Sequence, residues 1–412
     1  MSLGEAPEAE ISKEKIKELK VLIAGGGTGG HIMPALAICQ ALIVCGVSGA
    51  NIEFLGSKSG QDKKLLEGTN FKLHELDNKP LNRKLNLELL SAIVSMLRSV
   101  IQGYKKVKSI NPDVVVAVGG FASVPGILGA KLNSKPILQI NLDKAPGLAV
   151  RFGSIFANIV ADGFKDTGLK KSQFVGIPLR AEIVDTVDRR AVITEASALL
   201  IKSELGITGF NGSQLPGNGD RSDGTGDKTV VVMGGSLGAK ALNDMVPELA
   251  ARLNRADSLA RCNLKQINVY HIAGNRGINE VEPPKEPVTG YTLKGFELKM
   301  DLLYQIADLI ICRSGASTVA EILTIGIPSI MVPLPNAPRN HQYFNAITYE
   351  KQGACLVMEQ KDLQVELLSD TIINLLADPA KMGEMSRKAL SVGVKDAGHK
   401  IAKIIIRLAV RN

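Results

Sequence analysis

Val21-Leu22-Ile23-Ala24-Gly25-Gly26-Gly27-Thr28-Gly29-Gly30-His31 decides the fold: an apolar, strand-like run empties into five glycines around one threonine and closes on an imidazole. Glycine has no Cβ, so successive backbone N–H groups can turn toward one anion while a helix starts behind them. The spacing is denser than the Gly-x-Gly-x-x-Gly of dinucleotide folds. Steric need in a tight strand-to-helix turn also selects glycine. His31, which can hold or release a proton near neutral pH, adds chemistry to the turn.

A second segment of the same make lies far downstream. Val230-Val231-Val232-Met233 is a short β-branched run, followed by Gly234-Gly235-Ser236-Leu237-Gly238-Ala239 and a helical pattern from Lys240 to Leu253. Two such units opening the two halves of a 412-residue chain predict an α/β protein of two Rossmann-like domains facing a cleft.

Composition narrows the function classes. Cys39, Cys45, Cys262, Cys312 and Cys355 form no Cys-x-x-Cys pair, which argues against a disulfide framework and a zinc site and fits a reducing cytoplasm. Met1 to Lys20 is polar and lacks the apolar core of a signal peptide. No run approaches the roughly 20 apolar residues needed to cross a bilayer. The net charge of +8 comes without an arginine-rich helix and with few aromatics, so nucleic acid is a poorer partner than a membrane with anionic headgroups.

Strand-like runs at Val21-Ala24, Ile52-Leu55, Val114-Val118, Ile137-Ile140 and Ile159-Ala161 alternate with helical patterns, as in a parallel sheet. Further runs follow at Thr229, Val269-Ile272, Leu309-Cys312, Ser329-Val332 and Cys355-Val357. The expected organisation is a polar tail over 1–20, a first domain over 21–182 and a second over 183–396. Residues 206–227, poor in aliphatics, form a flexible insertion. Ile401, Ile404, Ile405 and Leu408 stripe a closing helix over 397–412 that should return to the first domain.

Arg313-Ser314-Gly315-Ala316-Ser317-Thr318-Val319-Ala320-Glu321 places small residues at a helix start, leaving N–H groups free for an anion. Glu321 suits either the helix dipole, as an early-turn acid, or a ribose diol. Pro333-Leu334-Pro335-Asn336 and the amides of Gln342 and Asn345 offer the mixed donors and acceptors that a sugar needs. Leu87, Leu90, Val94, Leu97, Ile101 and Tyr104 form a helical stripe among Lys79, Arg83, Lys84, Arg98, Lys105, Lys106 and Lys108. Such a stripe faces either a domain core or a membrane surface. His74, His271 and His399 lack a comparable context and read as structural or exposed.

Gly26-Gly27-Thr28-Gly29-Gly30-His31, Gly119-Gly120-Phe121, Gly176-Ile177-Pro178-Leu179-Arg180, Gly234 to Ala239, Cys312 to Ala316 and His341 to Asn345 together resemble, in order, the MurG family. The resemblance runs from Val21 to the last helix. It implies a glycosyltransferase-B fold and inverting transfer of N-acetylglucosamine from UDP-GlcNAc to undecaprenyl-diphosphate-muramoyl-pentapeptide (lipid I), giving lipid II for peptidoglycan. It further implies a peripheral position on the cytoplasmic face of the cell membrane, no cofactor, and other cell-wall enzymes as partners. By matching positions, Thr28, Gly29, Gly30 and Ser236 meet the donor diphosphate, Arg180 lies on the UDP side and Glu321 holds the ribose. Ala316, Ser317, Thr318, Val319 and Ala320, with Gln342 and Asn345, line the donor sugar. Gly119, Gly120 and Phe121 cradle the acceptor diphosphate. Ile140-Asn141-Leu142-Asp143 departs from the family's His-Glu-Gln-Asn and puts Asp143 where a donor-contacting Asn is expected.

Single displacement at a sugar carbon requires a base for the attacking hydroxyl and stabilisation of the departing diphosphate. No Asp-x-Asp occurs, which argues against a metal-bridged diphosphate and leaves helix N-termini and glycine amides as anion stabilisers. His31 is the leading base; its other reading is a hydrogen-bonding partner of the loop or phosphate. Rival functions are a related transferase acting on another lipid such as diacylglycerol, a nicotinamide-dependent oxidoreductase, and a UDP-sugar binding module without turnover. The second is disfavoured by Gly56 and Ser57 following Ile52-Leu55, where an acid should bind ribose.

Overall fold

The computed structural model describes residues 12–27, 29–58, 62–77, 87–207, 226–235, 238–284 and 286–411, with only the backbone given for 87–94. It divides into Met1–Arg180 with Asp396–Asn412 (unit 1) and Ala181–Lys395 (unit 2).

Unit 1 carries a parallel seven-stranded sheet: β1 (Val21–Gly25), β2 (Ile52–Ser57), β3 (Lys72–Leu76), β4 (Val114–Gly119), β5 (Ile137–Asn141), β6 (Ile159–Asp162) and β7 (Ser172–Phe174), in the order β3-β2-β1-β4-β5-β6-β7. Unit 2 carries a parallel six-stranded sheet: β8 (Lys228–Met233), β9 (Ile267–Ile272), β10 (Tyr291–Lys294), β11 (Leu309–Cys312), β12 (Ser329–Met331) and β13 (Leu356–Val357), ordered β10-β9-β8-β11-β12-β13. Both orders reverse direction once, between β1 and β4 and between β8 and β11. Doubly wound sheets bind ligands at the carboxyl ends of strands flanking such a reversal.

The central strands are buried on both faces, as continuous Val/Ile/Leu runs require: every residue of β1, β4, β9 and β11 is buried. Three strands absent from the sequence reading, β3, β7 and β10, lie at or next to open ground as sheet edges. β3 carries the polar residues Lys72, His74 and Glu75 and buries only Leu76, and β7 is exposed throughout. The helix read over Lys240 to Leu253 splits into Lys240–Asn243 and Val246–Leu253. Pro247 lacks an N–H and its ring collides with the carbonyl four residues back, so one helix cannot run through.

The polar N-terminal segment contains a short helix, Lys13–Glu18, capped by Ser12 and tied down where Ser48 N and Asn51 Nδ2 donate to Lys17 O. Most of the 206–227 insertion lies outside the described residues. The closing helix Ala397–Val410 belongs to unit 1, against the helix Gly29–Val44; it buries Ile401, Ile404, Ile405 and also Ile406, whereas Leu408 is half-buried.

The helix Leu87–Ile110 packs on the helix Ser123–Leu132 through small residues. A Cβ on Gly103 would sit 2.5 Å from Pro125 O, and one on Gly129 would sit 2.9 Å from Gly103 O. Ser99, Gly103 and Val107 therefore form the buried face. Leu97 and Ile101 point elsewhere, 62% and 57% exposed, beside exposed Arg98, Lys105 and Lys108. Tyr104 and Lys106 are half-buried. Lys79, Arg83 and Lys84, and the side chains of Leu87, Leu90 and Val94, fall outside what the structure describes. No described helix is long and apolar enough to cross a membrane.

Candidate active site

In unit 1 the chain leaves β1 with Gly25, Gly26 and Gly27 at φ of 127°, 142° and 91°, values that disfavour any side chain. The helix Gly29–Val44 starts directly behind them, with Gly29 and Gly30 as its first residues and His31 as its third. Thr28 lies outside the described residues. The loop after β4 also turns on two positive-φ glycines, Gly119 and Gly120.

His31 joins the two loops. A Cβ on Gly119 would lie 3.0 Å from its Cδ2 and 3.2 Å from its Nε2, and one on Gly120 would lie 2.7 Å from Gly26 O. The imidazole thus rests on backbone that only glycine permits. Phe121 reaches the same corner, its Cε1 3.9 Å from where a Gly27 Cβ would be. His31, Gly29, Gly30, Gly119, Gly120 and Phe121 are therefore brought together at the β1/β4 reversal.

Asp143 lies in the turn between β5 and the helix Leu148–Phe156. Its carbonyl accepts from Asn141 Nδ2 at 2.9 Å, and the same amide donates to Asp162 Oδ1 at 2.8 Å. Asp162 is fully buried and also accepts from Thr167 Oγ1, from Ser172 Oγ at 2.8 Å and from Phe164 N at 3.3 Å. Four donors satisfy a charge that burial would otherwise penalise. Arg180, half-buried, ends the first stretch of unit 1.

In unit 2, β8 runs into Gly234 and Gly235; Ser236 and Leu237 lie outside the described residues. Gly238, at φ 81°, lets the returning chain pass so close to Ala273 O that a Cβ would come within 2.2 Å of it. Behind this turn a buried relay fixes Asn243. Its Nδ2 donates to Ala273 O at 2.8 Å, so its Oδ1 accepts from His271 Nε2 at 3.1 Å, and His271 Nδ1 accepts from Tyr291 OH at 2.9 Å. Burial pushes the His271 pKa down to about 4, keeping the imidazole neutral as the relay requires.

Beyond β11, the helix Ala316–Ile325 begins after Gly315 without a side-chain cap. Ala316, Ser317, Thr318, Val319 and Ala320 are its first five residues, and the Ser317 hydroxyl is buried with no hydrogen-bond partner among the described residues. A Cβ on Gly315 would meet nothing within 4 Å, so the first turn opens to free space. Glu321 is the sixth residue, half-buried, and accepts from Tyr304 OH at 2.8 Å. Its reading as a dipole-favoured early-turn acid is corrected, because that effect fades beyond the first turn and the first turn holds no acid.

The two amides expected at the sugar are partly committed inward. Gln342 Oε1 accepts from Leu334 N at 3.0 Å, leaving its Nε2 amide to donate elsewhere. Asn345 is fully buried and donates to Ser314 O at 3.3 Å, so it braces the turn after β11. Arg313 lacked a role in the sequence reading. Its guanidinium donates to Val332 O at 3.1 Å, Pro333 O at 3.0 Å and Gln360 Oε1 at 2.5 Å, tying the Pro333–Asn336 loop to the β11 turn.

Family models describe the same two halves: the glycosyltransferase family 28 N-terminal domain matches residues 21–161, and the family 28 C-terminal domain matches 229–401. The protein is thus of the glycosyltransferase class, acting on a nucleotide sugar. Among curated relatives, the UDP-N-acetylglucosamine–N-acetylmuramyl-(pentapeptide) pyrophosphoryl-undecaprenol N-acetylglucosamine transferase of Mycobacterium sp. (strain KMS) is 32% identical over 391 residues, covering 95% of this chain and 96% of its own. The enzyme of that name from Shewanella sp. (strain ANA-3) is 31% identical over 394 residues, with 95% and 98% covered. Among solved structures, Acinetobacter baumannii MurG superposes with a TM-score of 0.70 at 25% identity, covering 94% of this chain and 99% of that one. Glycosyltransferase VinC in complex with dTDP shares the fold, with a TM-score of 0.60 at 13% identity. The chain belongs to the MurG family.

Proposed function

We propose that this chain transfers N-acetylglucosamine from UDP-GlcNAc to undecaprenyl-diphosphate-linked muramoyl-pentapeptide, with inversion, at the cytoplasmic face of a membrane. The observation that carries the reading is full-length likeness to transferases of that name, together with glycine turns at both sheet reversals.

In unit 1, His31 takes the proton of the attacking hydroxyl, and the Gly119-Gly120-Phe121 turn receives the acceptor diphosphate. In unit 2, the Gly234–Ala239 turn with Ser236 and the uncapped start of the helix Ala316–Ile325 stabilise the departing UDP diphosphate. By the family resemblance, Thr28, Gly29 and Gly30 also serve the donor diphosphate, and Arg180 the UDP. Glu321 holds the ribose diol. Ser317 Oγ, without a hydrogen-bond partner among the described residues, and Gln342 Nε2 address the donor sugar. Asp143 occupies the corner where the family's Asn contacts the donor.

Exposed Leu97 and Ile101 with Arg98, Lys105 and Lys108 supply an apolar face ringed by cations, the chemistry of a surface that settles on anionic headgroups. Incubation of radiolabelled UDP-GlcNAc with lipid I, with diacylglycerol or with no acceptor tests the reading. Labelled lipid II with lipid I alone is the expected outcome. Labelled diacylglycerol, or donor binding without UDP release, would replace it.

A further inference from the structure

The first glycine turn looks built for an anion, yet one of its amides is already taken. Asp62 is 0% exposed; its Oδ1 accepts from Gly27 N at 2.5 Å and its Oδ2 accepts from Ser57 N at 2.8 Å. The carboxylate thereby bridges the carboxyl ends of β1 and β2. Two glycines make room for it: a Cβ on Gly26 would come within 2.6 Å of Oδ1, and one on Gly56 within 2.5 Å of Oδ2. On its other side the turn is held by Gly120, packed against Gly26 O, and by Gly119, packed against His31.

We propose that Asp62 fills the anion position of the first glycine turn from within the chain. It acts as a positioning residue for the turn and for His31, and it keeps substrate diphosphate off Gly27. A buried carboxylate needs strong donors, and charge-assisted bonds from two amides supply them. With its amide occupied and a negative charge beside it, Gly27 offers a second anion repulsion in place of a donor. Phosphate oxygens meet unit 1 at the remaining amides, those of the Gly119-Gly120 turn and the first turn of the helix Gly29–Val44. The proposal rests on the reading of His31 as base only for its effect on turnover; occupancy of Gly27 stands separately.

The test uses full-length protein labelled with [15N]glycine and inorganic pyrophosphate as probe. In the parent, the Gly27 amide resonance should lie downfield and stay unmoved by pyrophosphate; a saturable shift of that resonance would overturn the proposal. Asp62→Asn leaves one of the two amides facing an NH2 group. It should make Gly27 responsive to pyrophosphate and lower kcat about 10- to 100-fold, the scale of a roughly 1 Å misplacement, with the KM for UDP-GlcNAc within about twofold. His31→Ala should cost two to four orders of magnitude, about what a general base contributes. Adding Asp62→Asn to it should then lose less than about twofold more, because a positioning residue cannot act through an absent imidazole. Unchanged kcat in Asp62→Asn, or losses that multiply in the double variant, would overturn the positioning role. Near-normal turnover in His31→Ala would instead remove the base assignment and leave the pyrophosphate titration to judge Asp62. If Asp62→Asn does not fold, the titration of the parent still decides.

Discussion

Glu321 sits one turn too deep in its helix to serve the dipole, and its carboxylate accepts from the Tyr304 hydroxyl while standing half-buried near the helix start. Glu321→Ala should therefore weaken UDP-GlcNAc binding by about 1–3 kcal/mol, the worth of a charged acceptor, as read by calorimetry. Unchanged affinity would restrict Glu321 to its bond with Tyr304. His271 makes a prediction about stability. Its folded pKa of about 4 lies below the roughly 6.5 of an unfolded imidazole, so between those values the unfolded chain binds more protons and stability falls as pH is lowered. His271→Gln keeps one donor for Asn243 and one acceptor for Tyr291 but cannot titrate. In urea denaturation of unit 2, the parent should lose about 2 kcal/mol more than the variant between pH 7 and pH 5. Equal losses would mean that His271 carries a proton in the fold. Residues such as His31 were legible because turn, helix start and imidazole are adjacent in the chain. Asp62 was not, since its partner Gly27 lies 35 residues away and it starts a helix of only five residues. The bond from Asn345 to a carbonyl 31 residues distant was hidden from the sequence for a related reason.

Central strands announced themselves as unbroken apolar runs, because burial on both faces leaves no place for polar residues. β3, β7 and β10 escaped because an edge strand needs only half a hydrophobic face, and charges there deter pairing with other chains. The helix Leu87–Ile110 shows the converse. Its Leu and Ile stripe reads equally as core or as membrane face, and the choice falls to Ser99, Gly103 and Val107, whose small size allows close packing on the helix Ser123–Leu132. With that face used, exposed Leu97 and Ile101 are left for another surface. Arg98→Glu, Lys105→Glu and Lys108→Glu combined should lower co-sedimentation with anionic vesicles by two orders of magnitude or more, since each cation near such a surface contributes about 1 kcal/mol. Binding by the parent should weaken as salt rises. Turnover with a soluble acceptor analogue should persist. Equal sedimentation of variant and parent would move the docking surface off this helix.

The chain is discontinuous at the scale of its units: unit 2 is one stretch, Ala181–Lys395, whereas unit 1 is completed only when Asp396–Asn412 returns to it. Unit 2 owns a core of its own, built from Val230, Val269, Leu309, Ile330, Leu368 and Ile372 among others. Residues 181–395 made alone should fold and bind UDP-GlcNAc, more weakly than the parent because Thr28, Gly29, Gly30, Asp143 and Arg180 are missing. Residues 1–180 made alone should not reach the native state. The missing helix buries Ile401, Ile404, Ile405 and Ile406, and each buried isoleucine is worth about 1.5–3 kcal/mol. Four together match the roughly 5–15 kcal/mol of net stability that a whole domain holds. Their loss also strips the cover from the helix Gly29–Val44, which carries His31. Circular dichroism melts and limited proteolysis of the two fragments decide the matter. A cooperative melt of residues 1–180 near the parent's midpoint would show the closing helix to be dispensable, and failure of residues 181–395 to bind UDP-GlcNAc would show that unit 1 supplies essential donor contacts.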